Sequence, residues 1–178
     1  MKLLLASASP RRRELLAPVC EFEIAPSSFE EVTEGSAEEI VLANARGKAL
    51  EVLKRFPDRR VLGADTAVSL NGVILGKPKD AADAERMLYM LSGKEHSVFT
   101  GVCLADKNGT SERVVETKVL FKTLSENQIK NYVLSGAPLD KAGAYGIQDG
   151  VTVASYKGSY TNVMGLPMEA VKEMLFEG

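Results

Sequence analysis

Tryptophan is absent from this 178-residue chain, aromatic residues make up only 6%, and there is one histidine and two cysteines. Few aromatics, with no interleaving of aromatic and basic side chains, argue against a stacking platform for single-stranded nucleic acid. A formal net charge of −2 excludes broad nucleic-acid binding by bulk electrostatics, so any basic site must be local. Cys20 and Cys103 lie far apart in apolar-rich segments. That spacing argues against a disulfide scaffold or a thiolate metal centre and fits a reducing cytoplasm. His96 has no second imidazole to share a metal and no nucleophile motif nearby, so it reads as structural. The apolar run at the amino terminus is too brief to cross a membrane and lacks the order of a signal peptide; it reads as mature structure. Repeats, low-complexity tracts and linkers are also missing, which points to one domain over residues 1–178.

What is present is a hydrophobic share of 45% with 26% charged residues, the balance of an ordinary globular protein. Met1 to Ala6 reads as a buried strand. Ser9-Pro10 then suits an N-cap and the first position of a helix over 10–17. Arg11, Arg12 and Arg13 therefore fall in a first helical turn, where cations are disfavoured. A phosphate guest would offset them, because backbone N–H groups and guanidinium forks converge there. Residues 21–25 read as a second strand, and Ser36-Ala37-Glu38-Glu39 is a capping box opening a helix to about Arg55. Arg60 to Leu70, the Asn71-Gly72 turn and Val73 to Leu75 form a hairpin. A helix capped by Asp80 runs to Leu91 and stops at Gly93. Ser97 to Ala105 and Glu112 to Phe121 are long strands joined around Asn108-Gly109. Ser125 with Gln128 opens a helix through Leu134; Val151 to Tyr156 is a strand, and Pro167 to Phe176 a closing helix. Hairpins mixed with helical crossovers predict an α/β fold with a mixed sheet.

Within Val61 to Val68, Asp65 and Thr66 interrupt an apolar strand. A carboxylate there is costly without a partner, a metal or a substrate. The alternatives are a cap at a bend beside Gly63, or a general base or metal ligand at the rim of a cleft. Lys77, in Gly76-Lys77-Pro78, follows the hairpin closely enough to lie near Asp65, although a lone loop lysine fits a solvated charge better; the segment is not a P-loop. Asn44-Ala45-Arg46-Gly47-Lys48 sets two basic groups in the long helix, and Lys48 gains interest only if it aligns with the arginine turn. Glu30 and Glu31 offer adjacent acids suited to a hard cation such as Mg²⁺, or simply a solvated loop. Small residues in Asp140 to Gln148 permit close backbone approach, and the Gln148 carboxamide can read a base edge. The methionines near the carboxyl terminus read as core filling.

SASPRRRELL, SFEE, NARGKA, LGADT, GKP, LSGKEHSV, PLDKAGAYGIQ and MGLP, in this order from Leu4 to about Val171, resemble the Maf family of nucleoside triphosphate pyrophosphatases. The resemblance implies a fold like that of the inosine triphosphate pyrophosphatases, a mixed sheet flanked by helices with a cleft between two lobes. It implies hydrolysis of a nucleoside triphosphate to the monophosphate and pyrophosphate with a divalent cation, Mg²⁺ or Mn²⁺. Asp65 matches the family's proton acceptor. Ser7, Arg12, Glu31, Lys48 and Lys77 match polar positions around phosphate and metal, with Glu31 and Asp65 as metal ligands. Arg11, Thr66 and Gln148 match the specificity positions of the branch acting on dTTP and UTP, with base-modified pyrimidine nucleotides as an extension. A sister branch acts on 7-methyl-GTP. The family is also linked to septum formation, so a nucleotide-binding regulator acting through a partner protein is the rival reading. Homodimers are common in such families; neither nucleic acid nor membrane is an expected partner.

Overall fold

The computed structural model describes residues 2–176. Met1, where the expected first strand begins, and residues 177 and 178 of the expected domain lie outside them. One seven-stranded sheet organises the fold, in the order β2-β1-β3-β5-β6-β7, with β4 also paired to β3. The strands are β1 (Leu3–Leu5), β2 (Phe22–Ile24), β3 (Val61–Leu70), β4 (Val73–Leu75), β5 (Glu95–Asp106), β6 (Gly109–Phe121) and β7 (Val153–Lys157). Only β1 runs parallel to its neighbours, β2 and β3; the remaining pairs are antiparallel. The sheet is mixed, as the alternation of hairpins and crossovers implies.

Side-chain alternation along the strands sends successive residues to opposite faces. On one face Leu3, Leu5, Leu62, Ala64, Val102 and Leu104 pack with α1 (Pro10–Leu16) and α6 (Met168–Phe176). Met168 and Met174 fill this core, as their sequence context suggests. On the other face Leu4, Ala6, Val61, Cys103 and Ala105 meet Ala45, Ala49 and Val52 of α2 (Ala37–Arg55). α2 lies unusually close to the sheet because Gly63 and Gly101 face it. A Cβ at Gly63 would sit 2.3 Å from the Ala45 carbonyl oxygen, and one at Gly101 2.4 Å from that of Val41. A further core joins the far ends of β3, β5 and β6 to α3 (Ala81–Leu91) and α4 (Glu126–Leu134). His96 belongs there. It is buried edge-on to Phe121 and Tyr145, with Nε2 2.7 Å from the Tyr145 hydroxyl, a structural placement.

Local signals fixed most element ends. Ser36 and Glu39 form the expected reciprocal cap of α2, Ser125 and Gln128 that of α4, and the Asp80 side chain caps α3. Four features differ from the sequence reading, one being β7, which starts at Val153 rather than Val151. β5 and β6 pair from Glu95↔Leu120 to Asp106↔Gly109, so they are longer than expected and turn at Lys107-Asn108, one residue early. Residues 137–149 coil through three short 3₁₀ turns. A single-turn helix, α5 (Tyr160–Val163), follows β7.

The pairing of β3 creates the opening. On one edge its start pairs with β1, at Val61 and Leu62, and its end with β4, from Val68 to Leu70. Neither strand covers Gly63 to Ala67 on that edge. The sheet is split there, while β5 runs unbroken along the other side from Ser69 to Val61. Asp65 and Thr66 occupy the split.

Candidate active site

The split opens into a cleft of about 900 Å³, the size of a small-ligand site. Ser7, Arg11, Arg12, Glu31, Lys48, Asp65, Thr66, Lys77 and Gln148, the positions that the family resemblance picks out, line it. Ser7 comes from the connection between β1 and α1, and Arg11 and Arg12 from the first turn of α1. Glu31 comes from the loop before α2, Lys48 from α2, Lys77 from the segment after β4, and Gln148 from the last 3₁₀ turn. Glu30, the alternative acid, is not among the lining residues. Arg13 is exposed and also absent from the wall, because the helix carries it past the face shared by its two neighbours.

Arg12 is held from three sides. Its Nε donates to the Gly165 carbonyl at 2.7 Å, Nη1 to the Ser7 hydroxyl at 3.3 Å and Nη2 to the Thr66 hydroxyl at 3.1 Å. Burial lowers its pKa from the ordinary value, Asp65 opposes that, and Arg11 reinforces it; a guanidinium remains charged regardless. Ser9 caps α1 by accepting from the Arg12 N–H, and Ser7 accepts from the Ser9 N–H at 3.2 Å. Behind Thr66 a polar chain runs inward. Its hydroxyl lies 2.9 Å from that of Thr100, which donates to the Asn162 carbonyl at 3.2 Å. Arg11 reaches across the cleft mouth to Asp140, 3.1 Å to the carboxylate and 3.3 Å to the backbone oxygen.

Asp65 faces α2. Oδ1 accepts from Lys48 Nζ at 2.9 Å and Oδ2 from Asn44 Nδ2 at 2.9 Å. The Asp65 and Lys48 side chains are only 14% and 13% exposed, so this pair is shielded in a way a surface pair is not. Lys48 also contacts Glu31, at 2.6 Å, and the two carboxylates thus share one ammonium. Partial desolvation raises the Glu31 pKa, but the hydrogen bond and charge of Lys48, with the charges of Lys77 and Arg12, outweigh it; the net direction is downward. Lys77 is exposed, yet close enough to act on Glu31 electrostatically. Gln148 is exposed at the rim.

The donor set suits a hard cation. Glu31 and Asp65 supply two carboxylates, and among the described residues there is no group of three or more His, Cys, Asp or Glu side chains that could hold a metal alone. Mg²⁺ is commonly held by one or two carboxylates, with water and substrate phosphates completing its octahedron.

Sequence reasoning passed over Asn44 and Thr100. Both are buried polar side chains tied directly to expected site residues. For Asn44 a signal existed: an Asn inside an otherwise regular helix, four residues before Lys48 and therefore on its face.

Comparison with known proteins agrees with this architecture. The family model described as Maf-like protein matches residues 2–177. A dTTP/UTP pyrophosphatase of Salmonella typhimurium is 49% identical over 97% of this chain and 91% of its own. Proteins of the same description from Gloeobacter violaceus and Thermococcus gammatolerans are each 45% identical, over 99% and 98% of this chain and 96% and 97% of theirs. Among solved structures, the Staphylococcus aureus Ham1 protein superposes with a TM-score of 0.55 at 15% identity, covering 98% of both chains, which shows a shared fold. The family match over residues 2–177 and these relatives at 45% to 49% identity show that this chain belongs to the Maf family.

Proposed function

We propose that this chain, acting as a single domain, hydrolyses dTTP and UTP to the nucleoside monophosphate and pyrophosphate, with a divalent cation and with Asp65 as the proton acceptor. One observation carries the mechanism. The Asp65 carboxylate and the Ser7–Arg12 turn, far apart in sequence, line one cleft of a size to hold a nucleotide.

A triphosphate repels an incoming nucleophile through its accumulated negative charge. Arg12, locked by Ser7, Thr66 and Gly165, presents its remaining N–H groups to the phosphates without first paying to order its side chain. Lys77 and Arg11 add positive charge at the mouth, and Lys48 keeps the two carboxylates from destabilising each other. Each Asp65 oxygen already accepts one hydrogen bond and retains capacity for another. The carboxylate is thereby fixed in orientation, and it takes the proton of a water attacking the α-phosphorus. Glu31 and Asp65 would hold the divalent cation, which would supply charge neutralisation on the phosphates. Thr66 and Gln148 select the base: a base lacking complementary groups forgoes their hydrogen bonds.

The relatives described as dTTP/UTP pyrophosphatases support this substrate class over 7-methyl-GTP. Both cysteines are free thiols, in keeping with a cytoplasmic setting, and no described helix is long and apolar enough to cross a membrane. Stoichiometric pyrophosphate release, measured over a panel of ordinary and modified triphosphates with Mg²⁺ and with Mn²⁺, tests the proposal. Many turnovers of dTTP and UTP are expected. Binding without turnover would instead support the regulatory reading.

A further inference from the structure

The loop carrying Glu31 has no regular secondary structure, yet it lies along one stripe of α2. Going up the helix, Asn44 binds Val32, Gly47 faces the Phe29 ring, Lys48 binds Glu31, Glu51 binds Ser27 and Ser28, and Arg55 binds the Pro26 carbonyl. Positions 44, 47, 48, 51 and 55 are the spacing of a single helical face. A Cβ at position 47 would stand 2.2 Å from the Phe29 ring, so the helix has a socket where the loop seats its aromatic anchor. The loop is therefore docked in register with α2.

At the N-terminal end of that stripe Asn44 does two things at once. The residue is 1% exposed. The Val32 N–H donates to Oδ1 at 2.7 Å, and Nδ2 donates to the Val32 carbonyl at 3.1 Å. A backbone donor and a backbone acceptor on the same residue leave the amide one orientation, since a flip would set donor against donor and acceptor against acceptor. The second Nδ2 proton is then directed at Asp65 Oδ2, 2.9 Å away. A group so fixed imposes direction on the softer group that it binds.

We infer that Asn44 is a positioning residue for the reaction. Its backbone-locked amide sets the direction of the Asp65 carboxylate and ties that carboxylate to the loop bearing Glu31. The inference rests on the reading of Asp65 as proton acceptor. It assigns to the helix, rather than to the strand alone, the aim of the acid.

A double-mutant cycle on turnover, with two companion variants, tests it. Asn44→Ala should lower kcat for dTTP roughly 10- to 100-fold, the scale of one lost hydrogen bond to a charged group, while KM changes less than about threefold. Phe29→Ala loosens the loop without touching Asp65, and its kcat should fall clearly less. In an Asp65→Ala background, Asn44→Ala should lower kcat by less than about twofold, because the group that it positions is gone. Asn44→Asp keeps the side-chain volume and the acceptor for the Val32 N–H but sets an oxygen, in place of the donor, against Asp65 Oδ2 and the Val32 carbonyl. It should lose turnover like the alanine variant, and it keeps the test decisive if that variant folds poorly. The inference is overturned by a kcat loss that multiplies in full with that of Asp65→Ala, by an Asn44→Ala variant no slower than Phe29→Ala, or by near-normal turnover in Asn44→Asp. Near-normal turnover in Asp65→Ala itself would instead bring down the reading of Asp65, and this inference with it.

Discussion

Replacing Asp65 by Asn changes one oxygen to an NH₂ group, and the site has no place for it. Lys48 donates to Oδ1 and Asn44 donates to Oδ2, so whichever way the new amide turns, a donor meets a donor. Asn44 cannot give way by flipping, because Val32 fixes both ends of its amide. An unsatisfied polar contact at a site this shielded costs about 1–3 kcal/mol. In a chain of this length each kcal/mol corresponds to a Tm shift of about 2–4 °C. Domain stabilities of about 5–15 kcal/mol absorb that loss, so the variant folds. Turnover suffers far more, since removal of a general base lowers it about 10²–10⁴-fold. The assays are pyrophosphate release at saturating dTTP, a thermal melt, and equilibrium binding of a non-hydrolysable dTTP analogue. Expected together are a Tm lower by a few degrees, binding largely preserved, and kcat reduced at least about 100-fold. A kcat within about threefold of the unaltered protein would refute the assignment of Asp65.

Gln148→Glu should reduce kcat/KM for dTTP and UTP more than it weakens triphosphate binding in general; unchanged ratios across a nucleotide panel would remove Gln148 from base selection. Gly101→Ala drives a Cβ to 2.4 Å from the Val41 carbonyl oxygen and should cost about 1–3 kcal/mol in denaturant unfolding. Because it pushes α2 outward, carrying Asn44 and Lys48 with it, kcat should fall in the same variant. Burial depresses the His96 pKa from its ordinary value of 6.5 to about 4. The unfolded chain then binds more protons at this residue between those values, so its contribution is complete above 6.5 and is lost as pH falls towards 4, by up to about 1.4 kcal/mol per pH unit. Urea unfolding at several pH values should show a shallower slope for His96→Gln than for the unaltered chain; identical slopes would refute the burial argument.

Much of the fold was legible because its ends are written in local chemistry. Ser36 with Glu39, Ser125 with Gln128, and Asn71-Gly72 each mark a boundary by side-chain bonds or turn preference that neighbours do not override. α5 escaped notice because a single turn from Tyr160 to Val163 shows no periodicity, although Ser159 caps it. The coils over 137–149 follow backbone contacts such as that of the Gly143 N–H with the Gly76 carbonyl, which join distant segments and leave no pattern in either. At the site, charged residues in apolar or helix-start settings drew attention, and the cleft does gather Arg11, Arg12, Lys48 and Asp65. Three consecutive arginines read alike in one dimension; helical rotation separates Arg13 from the other two. For Asn44 the sequence offers only its helical spacing to Lys48; the lock on its amide comes from the Val32 backbone, which no side-chain pattern reveals.

The way β3 changes partners along one edge bears on how a nucleotide gets in and out. The halves on either side of the gap are not beads on a string: β3 and β5 pass through both as uninterrupted ribbons. Swinging one half against the other would mean bending two hydrogen-bonded strands together, which resists large angles. The frame therefore holds the floor of the cleft as one piece, the Glu31 loop is fastened to it through α2, and the Arg11–Asp140 ion pair spans the mouth that a nucleotide must pass.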